Sequence, residues 1–218
     1  MQAESFLLLR KSFCTTFFPL KWALLAPLLF IILSSGIASG AGEDPLPPIE
    51  KTVEEILTIL RSKKDNDWNA TRQRISAIIQ KRFDFQEQSR LVLGDHWQER
   101  SDAEKDHFIS LFSTIQEHVY LNRLEDYSGE TVQFTKKIVK EDKALVFSAI
   151  VKDQEEIPIV YRMSQKEDKW LVYDVIIDGV SLVKNYRQQF SSILEKETYT
   201  DLVHDMEEKI KKIESEKN

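Results

Sequence analysis

The chain has 218 residues, of which 42% are hydrophobic and 30% are charged, a composition typical of a folded protein rather than a disordered one. Its 36 acidic residues outnumber its 30 lysines and arginines, so the formal net charge is −6. A nucleic-acid binder that neutralises phosphates is hard to build from that balance, and we exclude nucleic acid as a partner. No GxGxxG or GxxxxGK[ST] pattern occurs, which removes the usual sequence support for nucleotide chemistry.

The first forty residues have the order of a secretory signal peptide. Basic residues precede an uninterrupted apolar run, 22–33, which at about 12 residues is shorter than the ~20 that a membrane-spanning helix needs. Small residues follow, and cleavage after Gly40 places Ala38 at position −3. We expect 1–40 to be removed and 41–218 to be a single exported domain. Retention of the segment as a membrane anchor is the alternative.

Cleavage would change both the charge and the chemistry of the chain. The removed segment holds three basic residues and one acidic residue, so the remaining 178 residues carry a formal charge of −8. Cys14, the one cysteine, lies before the apolar run and is lost with it. We therefore expect a mature chain with no disulfide, no thiolate nucleophile and no cysteine-ligated metal.

The first half of the mature chain has the periodicity of helices. After an extended leader, 44–48, apolar residues recur every three or four positions, as they do on the buried face of an amphipathic helix. Asp84 is suited to cap one helix, and Ser101 with Glu104 forms a capping box that starts another. The predicted helices span about 49–62, 75–83, 84–94 and 101–124.

Past Gly129 the apolar period changes from 3.6 residues to 2, which is the period of β-strands. Short polar connections separate the apolar runs, and this spacing predicts an antiparallel meander of four strands. Asp178 and Gly179 end the sheet, and two helices follow. The predicted strands are 131–139, 144–152, 157–164 and 170–177, and the last helices are 180–195 and 200–213. This order predicts an α+β protein with helices gathered on one face of a curved sheet.

Motifs of enzyme catalysis are sparse. No GxSxG nucleophile elbow is present, and Glu104-x-x-His107 with Asp201-x-x-His204 is the one constellation with metal-ligand spacing. Charged neighbours mark its first pair as solvated, so we expect no metal site. Asp174 is the only acidic residue within an apolar strand. It is either a proton-transfer group of a small-molecule enzyme or a hydrogen-bonded residue that supports the strand-to-helix corner.

The strands contain more apolar residues than one buried face requires. The runs 144–151 and 171–177 are apolar almost without interruption, so we expect both faces of the sheet to be covered. A small sheet of this kind, with several amphipathic helices, encloses either a thick core or a cavity lined by side chains. Periodicity alone leaves these two possibilities open.

Three stretches carry a family resemblance. They are FDFQEQSRLVLGDHW at 83–97, WLVYDVIIDGVSLVKNYRQQF at 170–190, and the series Phe108, Phe112, Tyr120, Leu124 and Tyr127. Together they resemble the MlaC family, also called the toluene-tolerance auxiliary proteins. The stretch at 170–190 is the most specific, and it differs from the usual family pattern at Asp178, where glutamate is common.

The resemblance implies a soluble periplasmic carrier that is not an enzyme and binds no cofactor besides its phospholipid cargo. It implies transfer between an outer-membrane lipoprotein complex and an inner-membrane ABC transporter bearing MCE-domain rings, and with it a role in outer-membrane lipid asymmetry. The implied fold resembles the nuclear-transport-factor-like cone with added helices, acting as a monomer. A small-molecule enzyme of that cone type and an exported adaptor without a ligand are the alternatives.

We expect apolar side chains of the sheet and the neighbouring helices to line the lipid pocket, with ordinary core packing as their alternative role. The expected lining residues are Phe112, Tyr120, Leu124, Val146, Ile150, Ile159, Tyr161, Val172, Ile176, Val180, Tyr186 and Phe190. Lys184 and Arg187 lie near the start of a helix, where cations oppose the helix dipole. We expect an anion to compensate them: Asp174 or Asp178 first, then a lipid phosphate or an acidic partner.

Overall fold

The computed structural model describes residues 43–62 and 68–215, and the expected signal segment lies outside them. The helices of the described part are α1 (Leu46–Arg61), α2 (Trp68–Arg82), α3 (Phe85–Leu93), α4 (Asp102–Glu125), α5 (Leu182–Leu194) and α6 (Tyr199–Ser215). The strands are β1 (Thr131–Lys140), β2 (Lys143–Lys152), β3 (Glu155–Lys166), β4 (Lys169–Ile177) and β5 (Val180–Ser181). Of these helices, none has the length and hydropathy that crossing a bilayer requires.

The strands form one antiparallel sheet in the order β1-β2-β3-β4-β5, which confirms the α+β class and the meander. The expected count of four strands is wrong by one short strand. Asp178 and Gly179 have positive φ values of 49° and 79°, so the chain reverses within two residues and β5 pairs with the end of β4. Tight turn geometry of this kind is not visible in the apolar period.

Three helices begin at least two residues away from the expected start. Helix α2 starts at Trp68 instead of 75, because its first two turns are mostly polar and add nothing to the apolar period. Helix α5 starts at Leu182 instead of 180, because the Ser181 hydroxyl accepts the backbone N–H of Lys184 at 3.0 Å. Helix α1 starts at Leu46, so the leader is helical from that residue. Prolines are tolerated there because the N–H groups of a first helical turn have no partner within the helix.

The two expected helix caps are confirmed. The Asp84 carboxylate accepts the N–H of Glu87 at 3.0 Å and starts α3. Ser101 and Glu104 bond reciprocally, at 3.3 Å from the Glu104 N–H to the serine hydroxyl and 2.8 Å from the Ser101 N–H to the glutamate. These interactions depend on residues three positions apart, so sequence alone predicts them.

Buried apolar side chains fall into three clusters. The helical cluster joins α3, α4, α5 and α6 through Val92, Leu93, Trp97, Phe108, Phe112, Ile115, Tyr186, Phe190, Leu202 and Met206. The sheet cluster contains Ile49, Ala144, Val146, Ile159, Met163, Trp170, Val172 and Val175. A third cluster joins α1, α2 and α4 through Leu57, Ile59, Leu60, Ile75 and Leu121. Burial of these side chains is the main source of stability.

The two faces of the sheet differ in burial. Side chains alternate along each strand, and the inner-face residues Val146, Met163 and Val172 are fully buried. The neighbouring outer-face positions are partly exposed, and the Lys136 ammonium lies 4.5 Å from the ring centroid of Phe147 there. The expectation that both faces are covered is therefore wrong. Apolar residues of the outer face are shielded by long lysine side chains instead of by a helix.

Candidate functional site

A cavity of about 460 Å³ opens between the C-terminal half of α4, the β4–β5 turn, the first half of α5 and α6. This volume is within the range of small-molecule sites, which is about 300–1,000 Å³. Its apolar and aromatic walls are Val119, Tyr120, Ile177, Val180, Leu182 and Tyr186. Its polar side chains are Arg123, Asn185, Gln189 and Lys209.

Helical spacing explains how these side chains converge. Tyr120 and Arg123 are three residues apart and share one face of α4. Leu182, Asn185 and Gln189 follow one another at intervals of three and four on α5, so they also share one face. The tight turn before β5 places Val180 between the two helices, where 56% of its surface is exposed. The cavity thus depends on the short strand.

The cavity borders the inner face of the sheet. Ile177 and Leu182 line it and also pack against the sheet cluster. Phe134, Ile150 and Tyr161 pack against the same cluster and are only half-buried, and the Phe134 and Tyr161 rings stack with centroids 6.2 Å apart. Ile177 and Leu182 therefore join the cavity wall to the apolar packing of the inner face of the sheet.

Two phenols supply neutral polar groups in the cavity wall. Burial raises the pKa of both Tyr120 and Tyr186, and a hydrogen bond between their hydroxyls raises that of Tyr120 and lowers that of Tyr186. The positive charge of Arg123 acts in the opposite direction and lowers the pKa of Tyr120. Both hydroxyls are protonated at neutral pH, so they can donate or accept hydrogen bonds but carry no charge.

A second groove, of about 440 Å³, lies between α1 and α2. It is lined by the charged side chains Lys51, Glu54, Glu55 and Arg74, together with Thr58, Ile59 and Ile78. Apolar chains gain little from a surface on which both signs of charge are already solvated. The α4–α5 cavity is the better candidate for an apolar ligand.

The structure brings three of the expected lining residues to the cavity: Tyr120, Val180 and Tyr186. Phe112 and Phe190 lie in the helical cluster, and Tyr186 belongs to both sites. The remaining residues that pack in or against a cluster are Val146, Ile150, Ile159, Tyr161 and Val172 in the sheet cluster and Leu124 in the third cluster. Ile176 alternates with Ile177 along β4 and points to the outer face.

Seven cavity-lining residues are not among those expected from sequence: Val119, Arg123, Ile177, Leu182, Asn185, Gln189 and Lys209. Arg123, Leu182 and Gln189 lie three or four positions from Tyr120 or Tyr186 on the same helix, so helical spacing from those tyrosines identifies them. Val119 and Asn185 are immediate neighbours of the tyrosines, and that spacing does not identify them. Lys209 reaches the cavity only because α6 packs against α4, and no local pattern signals that contact.

The expected ion pair between Asp174 and Arg187 is wrong. The buried Asp174 carboxylate accepts the Ser181 hydroxyl at 2.7 Å and the Val183 N–H at 3.1 Å, and its cation is Arg162 at 3.5 Å. Arg162 lies directly opposite Asp174 in the register of β3 and β4, whereas the Arg187 guanidinium lies against the backbone of Gly94. Asp174 therefore has the supporting role at the strand-to-helix corner.

The histidines considered as metal ligands, and Lys184, which was considered for the headgroup, are not part of the cavity lining. His107 Nε2 is 3.0 Å from Glu207 Oε1 in an exposed pair between α4 and α6. Across 43–62 and 68–215, no group of three or more histidine, cysteine or acidic residues is arranged to bind a metal ion. Lys184 is exposed on the first turn of α5.

Comparison with known proteins adds a family assignment. The model of the MlaC protein family matches residues 50–208. The intermembrane phospholipid transport system binding protein MlaC of Haemophilus influenzae is 24% identical over 123 residues, which cover 54% of this chain. The match spans 58% of the length of that curated relative.

A solved structure shares the fold. The phospholipid-binding protein of Ralstonia solanacearum, determined in complex with a phospholipid, superposes with a TM-score of 0.72 at 20% sequence identity. The superposition covers 78% of this chain and 98% of that protein. With the family model matching most of the chain, the conclusion is direct: this chain belongs to the MlaC family.

Proposed function

We propose that this protein is a periplasmic phospholipid carrier whose α4–α5 cavity receives the acyl chains. The observation that carries the proposal is the apolar wall of the cavity, which continues through Ile177 and Leu182 to the inner face of the sheet. The names of the Haemophilus and Ralstonia relatives, which refer to phospholipid transport and phospholipid binding, support the same ligand class.

The energy of chain burial favours a carrier over free exchange through water. Each buried methylene contributes about 0.8 kcal/mol, so half-burial of two chains with ~28 methylenes is worth on the order of 10 kcal/mol. Spontaneous release into water is then slow. Loading and unloading occur during docking to a partner that offers the chains another apolar site.

The partners that fit this role are an outer-membrane lipoprotein complex and an inner-membrane ABC transporter with MCE-domain rings. Removal of 1–40 leaves a formal charge of −8, and anionic bilayer surfaces repel such a chain. Hand-over through protein partners is therefore favoured over direct contact with lipid bilayers.

The cavity is poorly suited to the alternative of enzyme catalysis. General acid–base chemistry near neutral pH needs a group that titrates there, such as histidine or a carboxylate with a raised pKa. The lining side chains include neither histidine nor a carboxylate, and the two phenols have raised pKa values. Binding without chemistry is what this set of side chains supports.

Export has its own test. Intact-mass measurement of the protein recovered from the periplasm should give a chain that begins near Ala41 or Gly42, because small residues follow the apolar run. A mature protein that still contains residues 22–33 would contradict cleavage.

The ligand is tested by extracting the purified periplasmic protein with organic solvent and analysing the extract by mass spectrometry. We expect phospholipid in about stoichiometric amount, since release into water is slow. An unrelated exported protein purified in parallel controls for lipid carried over from membranes. An extract no richer in phospholipid than this control would contradict the carrier and favour the adaptor without a ligand.

A further inference from the structure

The cavity contains two cations and no carboxylate. Arg123 on α4 and Lys209 on α6 line it, and none of its lining side chains is aspartate or glutamate. Acidic residues outnumber basic ones in this chain, so a cavity that gathers only positive charge departs from the average surface. Two cations around one cavity attract an anion.

Neighbouring side chains leave these cations available. Within the described ranges, neither Arg123 nor Lys209 forms an ion pair with a carboxylate. Glu207 pairs with His107 at 3.0 Å and Glu208 with Lys211 at 2.8 Å. In the described part of the chain, Asp205, one turn before Lys209 on α6, and Asp126, one turn after Arg123, form no ion pair with these two cations. Both cations are exposed at the cavity, where a ligand can reach them without displacing a partner.

The other polar groups of the cavity are neutral donors. Asn185 and Gln189 carry amide N–H groups, and the Tyr120 and Tyr186 hydroxyls are protonated at neutral pH. A guanidinium, an ammonium and neutral donors around one space suit the oxygens of a phosphate, and the guanidinium can bind two of them at once. Apolar walls beside them suit an attached hydrocarbon chain.

We infer that Arg123 and Lys209 bind the phosphate of a lipid headgroup while the acyl chains occupy the apolar part of the same cavity. This inference rests on the proposed carrier function and adds a polar subsite to it. It assigns headgroup recognition to α4 and α6, whereas the sequence directed attention to Lys184 and Arg187 on α5.

The test compares two lipids with the same acyl chains, of which only one carries a phosphate. Chain-labelled phosphatidylglycerol and diacylglycerol with the same acyl chains are offered to the delipidated mature protein at low ionic strength. The wild-type protein should bind phosphatidylglycerol about tenfold more tightly, because charge-assisted hydrogen bonds contribute more than neutral ones. The double variant Arg123→Gln/Lys209→Gln should lose that preference and keep its affinity for diacylglycerol.

The matched control is Arg74→Gln/Lys81→Gln, which removes the same charge from exposed positions on α2 and should keep the preference. A preference that persists in the Arg123/Lys209 variant would overturn the inference. Equal binding of both lipids by the wild type would overturn it too, while the carrier function would stand. Failure of the wild type to bind either lipid would count against the carrier function itself.

Inorganic phosphate distinguishes a lipid phosphate from a free one. At equal ionic strength, inorganic phosphate present at the same concentration as the lipid should not displace phosphatidylglycerol, because it lacks the chains that fill the apolar walls. Displacement that disappears in the Arg123/Lys209 variant would identify free phosphate as the ligand and overturn the assignment to a lipid headgroup.

Discussion

Helices α4 and α5 are solidly packed at one end and enclose a cavity at the other. At the packed end, the Phe108 and Phe190 rings meet edge to face at 5.8 Å, and the Phe112 and Tyr186 rings do so at 5.0 Å. At the cavity end, the same two helices present Tyr120 and Leu182 to open space. The turns that stabilise the fold and the turns that leave room for a ligand therefore lie at opposite ends of the same helices.

Tyr186 joins the two ends, since it is buried in the helical cluster and also lines the cavity. This arrangement lets the aromatic end hold the helix positions while the cavity end stays unfilled. Substitutions at the packed end should mainly change the free energy of unfolding, whereas substitutions at the cavity end should mainly change ligand content.

The largest expected effect is at the packed end. Phe112→Ala should lower the free energy of unfolding by about 3–5 kcal/mol, because it leaves a cavity in a close-packed aromatic cluster. Val180→Ala at the cavity end should stay within about 0.5 kcal/mol, since 56% of Val180 is already exposed. Urea denaturation of both variants measures the two free energies of unfolding. Equal losses of stability would contradict the distinction between a packed end and a cavity end.

Glycine-to-alanine substitutions compare the backbone at the two ends. A Cβ at Gly94, where φ is 59°, would lie 2.9 Å from the Arg187 guanidinium at the packed end, whereas a Cβ at Gly179, where φ is 79°, would meet nothing within 4 Å. The Arg187 guanidinium is the end of an exposed side chain and can move aside at small cost. Gly94, at φ 59° and ψ −126°, has the backbone conformation of the first central residue of a type II′ turn, which glycine dominates, so Gly94→Ala carries more backbone strain than the about 1–2 kcal/mol of an ordinary positive φ.

Thermal unfolding should therefore rank Gly94→Ala below Gly179→Ala. Adding Arg187→Ala to Gly94→Ala should recover little of the loss, because the backbone strain remains. Full recovery in the double variant would contradict this and show that the Arg187 side chain, not the backbone, limits the substitution.

A smaller, pH-dependent effect is expected on the side of α4 that faces α2. The half-buried His118 ring lies 2.6 Å from the Arg72 guanidinium, and burial together with the charge of Arg72 lowers its pKa, while Glu117 and Glu214 act in the opposite direction. The unfolded chain then binds a proton near pH 6.5 that the folded chain binds only at lower pH. The free energy of unfolding should fall as pH decreases below about 6.5.

Chemical denaturation between pH 7.5 and pH 5 measures this dependence. His118→Gln should flatten it, because the variant has no ionisable side chain at this position. An unchanged slope in His118→Gln would mean that this histidine titrates alike in the folded and unfolded chains.

Local features of the fold followed from sequence because their causes are local. The caps at Asp84 and Ser101 depend on neighbours three residues away, and the strands follow from alternation. The short strand β5 was missed because it depends on two consecutive residues in the left-handed region, and Asp178 adopts that conformation without being glycine.

The cavity was only partly predictable. Periodicity identifies Val146 and Phe112 as inward-facing, but it does not tell whether an inward side chain meets protein or open space. Tyr120, Val180 and Tyr186 lie in the family-like stretches, but so do Phe112 and Phe190, which pack in the helical cluster instead. Lys209 was not predicted, since its approach to Arg123 depends on the packing of α6 against α4.

The most direct test of the central claim, that lipid occupies the α4–α5 cavity, is the amount of phospholipid bound per chain in Val180→Trp. Val139→Trp is the matched control, because Val139 is also about half exposed but lies on β1 outside the cavity lining. Both variants should melt close to the wild type. Bound phospholipid should fall by about half or more in Val180→Trp, because the indole occupies volume that the acyl chains need, and should not change in Val139→Trp. Wild-type phospholipid content in a folded Val180→Trp protein would contradict the claim.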